Sequence, residues 1–297
     1  MKIGIFAALA SPLAPRPIVE AFGRSAEEFG FNSIWLGEHA LLFDQYESKY
    51  PYSPDGSFPV GGEIGVLEPF TTLAYLAAVT DTVRLGTGIC LIPQRNPVYT
   101  AKESANVDWL SGGRMDLGVG IGWLAEEFRA LDVPFEHRGA RTDSYLDVIA
   151  KLWTEEAPEH HDDYYDLPPA RMYPKPIQQP HIPVHIGGES DAALRRVAAR
   201  GQGWYSFNAG PDHLAERLPV LERLLAERGR SLDEVQISVT PNLVEGTGQE
   251  MNPDVLRRYA EVGADQVILT VWPAEPDQVR ASMEALAETY LDLAASL

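Results

Sequence analysis

The feature that most constrains the fold is an eightfold alternation of short apolar runs with amphipathic helical patterns. The runs are rich in β-branched residues, and apolar residues recur on one face of the segments that follow. Strands that alternate with helices pair in parallel, because a parallel neighbour can only be reached through a crossover connection. The predicted strands are Lys2–Ala7, Ser33–Leu36, Arg84–Cys90, Met115–Val119, Val184–Ile186, Gly203–Ser206, Val235–Val239 and Gln266–Leu269.

Eight strand–helix units predict an α/β fold that closes into a (β/α)₈ TIM barrel, with a doubly wound open sheet as the alternative. The chain has 297 residues, and one such barrel usually takes about 250. Residues 1–297 are therefore interpreted as a single domain. The predicted helices are Pro17–Phe29, Glu68–Val79, Thr100–Leu110, Thr142–Leu152, Asp191–Ala199, Asp212–Arg228, Asp254–Val262 and Pro276–Leu293.

Two stretches interrupt this alternation. Residues 37–67 connect the second strand to its helix, a connection that ordinarily takes about two to six residues. Loops after barrel strands lie at the carboxyl face, where active sites are found, so this loop is predicted to be a lid over the substrate. Packing on the barrel rim or on a partner subunit is the alternative. Residues 154–183 are rich in proline and are interpreted as an insertion between the two halves of the barrel.

Charge and cysteine content exclude several classes of protein. The net charge of −19 disfavours nucleic acid and anionic membranes as partners, because both require clustered Lys and Arg. Cys90 is the single cysteine, so no intrachain disulfide can form, as is usual in a reducing cytoplasm. No apolar stretch has the length of a transmembrane helix, and the N-terminus lacks the pattern of a signal peptide. A cytoplasmic location is expected.

A run of spaced glycines follows the fourth strand. Gly118, Gly120 and Gly122 stand before Trp123 in the middle of the chain, whereas a dinucleotide fingerprint usually occupies the first strand–helix turn. Glycines here would let the strand end approach a flat cofactor ring, where a side chain would clash. Tight packing against a neighbouring strand is the alternative.

A second glycine pair precedes a helix start. Gly187 and Gly188 follow the fifth strand, and Ser190 and Asp191 are favourable N-cap residue types. Free N–H groups and the positive end of the helix dipole suit a phosphate, provided that the carboxylate of Glu189 points elsewhere. An ordinary strand–helix turn is the alternative.

His39 ends the second strand on the predicted active face. A histidine can transfer a proton near neutral pH, although a lone histidine is more often structural. A metal site is not predicted, because the candidate ligands lack ligand spacing and are interpreted as a solvated loop. These candidates are His160, His161, Asp162 and Asp163.

Taken together, the order and spacing of the motifs resemble the bacterial luciferase-like monooxygenase superfamily, in particular its coenzyme F420-dependent oxidoreductases. The resemblance covers nearly the whole chain. It depends on SIWLGEH at 33–39, RLGTGI at 84–89, NP at 96–97, LSGGR at 110–114, GVGIGW at 118–123, EEF at 126–128, RGARTD at 138–143 and IGG at 186–188.

The resemblance implies a luciferase-type barrel with an insertion, usually dimeric, which holds a deazaflavin or FMN at the carboxyl face. It implies that His39 lies near the reactive ring and that Gly88 and Ile89 form a bulge behind it, often with a non-proline cis peptide. Gly187 and Gly188 would take the phosphate. The predicted cofactor-binding residues are Gly88, Ile89, Gly120, Gly122, Trp123, Gly187, Gly188 and Ser190.

By this resemblance we expect a homodimeric oxidoreductase that transfers a hydride between coenzyme F420 and a small organic substrate, with His39 handling a proton. The first alternative is an FMN-dependent monooxygenase that uses O₂ and a separate reductase. The second is a non-catalytic flavin-binding barrel, against which His39, Arg95 and Asn96 argue as polar residues around the pocket. A metal-dependent hydrolase is disfavoured by the missing ligand cluster.

Overall fold

Eight parallel strands close into a barrel in the computed structural model, which describes residues 1–58, 63–241 and 251–297. Neighbouring strands follow one another in the chain, the fifth pairs with the fourth, and the eighth pairs with the first. The predicted (β/α)₈ barrel is therefore confirmed, and the open sheet is wrong. The strands are β1 Lys2–Ala7, β2 Ser33–Leu36, β3 Arg84–Thr87, β4 Met115–Gly120, β5 Val184–Gly187, β6 Gly203–Phe207, β7 Gln236–Thr240 and β8 Gln266–Val271.

Helices surround the barrel and begin and end at residues with clear local reasons. The first helix has a proline in its first turn and ends at Gly30, whose φ of 82° is left-handed. The third is capped by the Asn96 side chain, which accepts from the Val98 N–H at 3.0 Å. The helices are α1 Arg16–Phe29, α2 Pro69–Val79, α3 Pro97–Ser111, α4 Ala125–Ala130, α5 Arg138–Thr154, α6 Asp191–Arg200, α7 Pro211–Ala226, α8 Pro253–Glu261 and α9 Pro276–Ala295.

The end of the third strand differs from the prediction. Arg84–Cys90 was expected to be one strand, but β3 ends at Thr87. The peptide between Gly88 and Ile89 is cis, as predicted. Pairing resumes at Cys90 and Leu91, which lie beside Val119 and Gly120 of β4.

The barrel interior is packed and polar at its amino-terminal end. Arg84 donates two hydrogen bonds of 2.7 Å to Asp116, and His185 lies 3.3 Å from the same carboxylate. Burial opposes ionisation of Asp116, but the hydrogen bonds from His185 and Arg84 hold its pKa below the ordinary range. Trp35 and Tyr205 pack above this group, so the interior is filled up to the carboxyl ends of the strands.

The long connections have some order of their own. Residues 65–66 pair with residues 10–11, and His160–His161 pairs with Asp166–Leu167 in a short hairpin of the proline-rich insertion. Among the helices in the described ranges, none combines the length and the apolar character needed to cross a bilayer.

Candidate functional site

A cavity of about 570 Å³ opens at the carboxyl ends of the barrel strands. This is the face on which the sequence placed the active site, and active sites of this fold lie there. The structure brings all the predicted site residues to the wall of this one cavity. They are His39, Gly88, Ile89, Gly120, Gly122, Trp123, Gly187, Gly188 and Ser190.

Glycines and one isoleucine form the floor of the cavity. A Cβ added to Gly120 would lie 2.1 Å from Cδ1 of Ile89, and one added to Gly187 would lie 2.9 Å from the same atom. The Ile89 side chain thus covers both glycines and presents an apolar surface to the cavity. The glycines were expected to admit a cofactor ring, but the space beside these two is filled by Ile89.

Gly118 and Gly122 have other reasons to be glycine. A Cβ at Gly118 would lie 2.0 Å from the Thr87 carbonyl oxygen, so the alternative of tight strand packing is correct at this position. Gly122 has a left-handed φ of 75° and packs against Phe128. Of these two residues, Gly122 lines the cavity and Gly118 does not.

One end of the cavity has the features of an anion site. Gly188 has a φ of 104°, a conformation that favours glycine, and its carbonyl accepts from the indole N–H of Trp204 at 3.0 Å. Ser190 caps α6 and accepts from the Ala193 N–H at 3.2 Å. The N-terminus of α6 is therefore held beside the cavity, where its dipole favours negative charge.

Glu189 stands beside this helix start but is engaged elsewhere. Its carboxylate accepts from the Phe207 N–H at 3.1 Å and lies 3.1 Å from Nε2 of His213. Burial raises the pKa of Glu189. Its carboxylate is therefore bound to the end of β6 and to α7. It does not occupy the place beside the helix start where an anion would bind.

Arg138 is a cation on the cavity wall that sequence reasoning did not assign. Its Nε donates to the Gly122 carbonyl at 3.2 Å, and its guanidinium lies 3.8 Å from the centre of the Phe135 ring. Within the described ranges it has no carboxylate partner, and burial lowers its pKa. A cation in the first turn of α5 opposes the helix dipole, so this position favours a nearby anion. In the sequence, this residue could have been found from its position in the segment 138–143, which is one of those that carry the family resemblance.

His39 is held between the cavity and a buried carboxylate. Its Nδ1 lies 3.1 Å from Oε2 of Glu127, and its ring meets Phe58 and Trp123 edge-on. Glu127 has no exposed surface. Burial opposes its ionisation, but hydrogen bonds from His39, Leu41 and other donors hold its pKa below the ordinary range. This contact was not predicted from the sequence.

Glu38 also lines the cavity, but its carboxylate is bound by other groups. It accepts from the Leu91 N–H at 2.6 Å and pairs with Arg95, and burial raises its pKa. Arg95 also pairs with Glu103 at 2.6 Å. The interpretation of Arg95 and Asn96 as polar residues of the pocket was wrong, because the first is bound in ion pairs and the second caps α3.

The loop after β2 covers the cavity with aromatic side chains. Tyr50 contacts Phe58 and Trp123 edge-on, with ring centres 5.0 and 5.2 Å apart, and Tyr52 contacts Phe207 at 5.0 Å. Burial raises the pKa of Tyr52 to about 12. The described part of the loop also packs on the barrel rim, as its contact with Phe207 at the end of β6 shows, and its role as a lid over a substrate stays a prediction. Residues 59–62 of the predicted lid lie outside the described residues.

The loop is fixed to α4 by hydrogen bonds. The Glu126 carboxylate accepts from the Glu47 N–H at 2.7 Å and the Ser48 N–H at 3.3 Å. The Ser48 hydroxyl in turn accepts from the Ala125 N–H at 3.0 Å. This short helix therefore connects the loop to the end of β4.

Clusters of histidine, cysteine and acidic side chains are the groups that could form a metal site. In the part of the chain that the structure describes, no group of three or more could hold a metal ion. His160 lies 2.8 Å from Asp162, and His161 pairs with Asp166 on the hairpin of the insertion. These side chains have local partners.

Comparisons with known proteins agree with the fold. The sequence model of the luciferase-like monooxygenase family matches residues 1–293. The uncharacterized protein Rv0953c of Mycobacterium tuberculosis is 31% identical over 270 residues, which are 90% of this chain and 92% of that protein.

Two solved structures are similar over nearly the whole chain. The monooxygenase RslO1 from Streptomyces bottropensis has a TM-score of 0.77 and 22% identity, and the match covers 98% of this chain and 99% of that one. An F420-dependent secondary alcohol dehydrogenase, solved with an F420–acetone adduct, has a TM-score of 0.73 and 19% identity over 95% of this chain and 97% of that one. At these identities the likeness shows the fold alone.

Proposed function

This chain belongs to the luciferase-like monooxygenase family, and from that premise we propose that it binds coenzyme F420 and transfers a hydride between this cofactor and a small organic substrate. One observation carries the proposal. The cavity joins an apolar floor at Ile89 to a helix N-terminus and to Arg138, whose charge no carboxylate of the described residues neutralises. A flat ring with a phosphate-bearing tail has this distribution of apolar surface and charge.

The residues of the chain fit such a cofactor. Ile89 would support the ring from below, because its side chain covers the glycines of β4 and β5. Gly187, Gly188 and Ser190 would bind the phosphate with backbone and hydroxyl groups at the start of α6, and Arg138 would supply the opposite charge. When bound, coenzyme F420 supplies the centre that accepts or donates the hydride.

The remaining residues would prepare the reaction. Tyr50, Tyr52 and Phe58 would exclude water above the ring and contact an apolar substrate, since their rings line the cavity. His39 would hold or accept the proton that accompanies hydride transfer, at the ring nitrogen that does not face Glu127.

A second candidate is an FMN-dependent monooxygenase that uses O₂ and a separate flavin reductase. The family model that matches residues 1–293 is that of luciferase-like monooxygenases, and this favours it. The same floor and anion site would serve FMN, so the two candidates differ in the cofactor and in the need for oxygen.

Titration of the purified protein with F420 and with FMN, side by side, separates them. We expect F420 to bind at least about tenfold more tightly, a difference of 1.4 kcal/mol, and the loaded protein to reduce or oxidise F420 with small alcohols and carbonyl compounds under nitrogen. Tighter binding of FMN, together with oxygen consumption on addition of reduced FMN, would replace the first candidate with the second. Binding of either cofactor without turnover would favour the non-catalytic flavin-binding barrel, and failure of both to bind would contradict the proposal.

A further inference from the structure

The Glu127 carboxylate is buried and receives three hydrogen bonds. Oε1 accepts from the Leu41 N–H at 3.1 Å, and Oε2 accepts from Nε2 of Gln94 at 3.1 Å and lies 3.1 Å from Nδ1 of His39. A buried carboxylate is costly unless it is compensated. Two of the compensating groups, His39 and the Leu41 N–H, belong to the loop after β2 that lines the cavity.

From this geometry we propose that Glu127 is a positioning residue that fixes the tautomer of His39, with the proton on Nδ1 and Nε2 free to exchange a proton with the substrate. An ionised carboxylate only accepts hydrogen bonds, so the histidine nitrogen beside it must donate. The same logic orients the histidine of a Ser-His-Asp triad. The role in turnover rests on the proposed function, but the tautomer itself does not.

The other ring nitrogen is available for this task. Among the described residues Nε2 of His39 has no hydrogen-bond partner, and it is not enclosed by the protein, since the side chain is 10% exposed and lines the cavity. Phe58 and Trp123 hold the ring edge-on, which limits its rotation. Glu127 and the aromatic contacts together direct one nitrogen inward and the other to the cavity.

Glu127→Gln gives a specific reversal of this arrangement. The Leu41 N–H is a fixed backbone donor, so the carbonyl oxygen of the new glutamine must take the place of Oε1. Its NH₂ group then faces His39, and Gln94 can turn its own amide to present an oxygen. A donor beside Nδ1 requires that nitrogen to accept, which moves the proton of the neutral imidazole to Nε2.

The test is a long-range ¹H–¹⁵N spectrum of the cofactor-free protein above the titration range of histidine, with His39 assigned by comparison with His39→Gln. We expect the Nδ1–H tautomer in the parent protein and the Nε2–H tautomer in Glu127→Gln. Glu126→Gln is the matched control, because Glu126 lies on the same helix and contacts the loop backbone instead of His39. Its His39 tautomer should be that of the parent.

Turnover of the loaded protein adds a second readout. Glu127→Gln should lower turnover by at least about tenfold while the cofactor dissociation constant stays within about threefold, since general acid–base catalysis contributes about 10²- to 10⁴-fold. Glu127→Asp keeps the negative charge and should retain the Nδ1–H tautomer and more of the turnover. It also replaces the first variant if that one does not fold.

Three results would overturn the proposal. They are an Nε2–H tautomer in the parent protein, an unchanged tautomer in a folded Glu127→Gln, or a changed tautomer in that variant with undiminished turnover. The expected tautomers without any F420 or FMN turnover in the parent would support the positioning role and contradict the proposed function, so the two failures are distinguishable.

Discussion

His39 meets the cavity with one ring nitrogen and the protein interior with the other. Residues that could substitute for it are few, because the carboxylates of Glu38 and Glu189, which also line the cavity, are both engaged by other groups. Tyr50 and Tyr52 are weak proton donors, since burial raises the pKa of both hydroxyls. The proposed proton transfer would therefore depend on His39.

Replacing His39 with alanine tests this dependence. We expect turnover to fall by about two to four orders of magnitude, the usual contribution of general acid–base catalysis, while cofactor affinity changes far less because the anion site is built from other residues. Single-turnover rates and the F420 dissociation constant of the same variant give the two quantities. His161→Ala is the control, because that side chain is exposed on the hairpin of the insertion. A loss of less than about fivefold would exclude the role and indicate that a bound water transfers the proton.

His39 could be predicted from the sequence, whereas its partner could not. A histidine in the loop that follows a strand lies at the carboxyl face of the sheet wherever strands alternate with helices, and this is the face that carries active sites. Glu127 contacts it across 88 positions of the chain, and neighbouring Glu126, the same residue type, has a different role. Only the tertiary packing of α4 separates the two.

At the scale of elements, the start of α6 brings a backbone turn, a capped helix and the cavity wall together. Gly188 is left-handed there, and the nearest atom to an added Cβ is Cβ of Ala193 at 3.3 Å. A side chain at this position would extend beside the helix N-terminus that we propose as the phosphate site.

Gly188→Glu should therefore weaken cofactor binding more than about tenfold, because it adds negative charge and bulk where the phosphate binds. The measurement is the F420 dissociation constant of the folded variant. Gly229→Glu is a matched control, since Gly229 also has a left-handed φ of 70° but has no atom within 4 Å of an added Cβ and does not line the cavity. It carries the same backbone strain and should bind as the parent does. Equal affinities in both variants would place the phosphate elsewhere.

Periodicity predicted the large elements and failed at the small ones. All eight predicted strands and eight helices are present, because each has enough residues to show a period of two or of 3.6. Helix α4 has only 6 residues, too few for a pattern, and it was not predicted. Periodicity also missed the break after Thr87, since Arg84–Cys90 is a continuous run in the sequence, and it was the family resemblance that indicated a bulge at Gly88 and Ile89.

At the scale of the whole molecule, the strongly negative net charge is not repeated on the cavity wall, where two cations stand beside two carboxylates that other groups bind. The chain carries a net charge of −19, yet the cavity wall includes the cations Lys49 and Arg138. A surface of this charge repels anions at a distance, and salt screens the repulsion beyond about 10 Å. The proposed anionic cofactor would therefore be recognised by local contacts, and the composition that disfavours nucleic acid does not exclude it.

The assembly of the molecule remains a prediction, and α3 offers a surface on which to test it. Tyr99 and Leu110 lie about three turns apart on one face of this helix and are 70% and 68% exposed, with the neighbouring Trp109 56% exposed. Trp109 and Leu110 are adjacent in the chain, and large exposed apolar side chains that lie together mark interaction sites. We propose that two copies of the chain meet here, so light scattering should give twice the mass of 32.7 kDa.

Trp109→Glu should shift the protein to the monomer, because a charge in an apolar contact is costly. The control Leu13→Glu changes a side chain that is 50% exposed away from α3 and should leave the mass unchanged. A monomeric parent would contradict the homodimer, and a dimeric Trp109→Glu would contradict this surface alone.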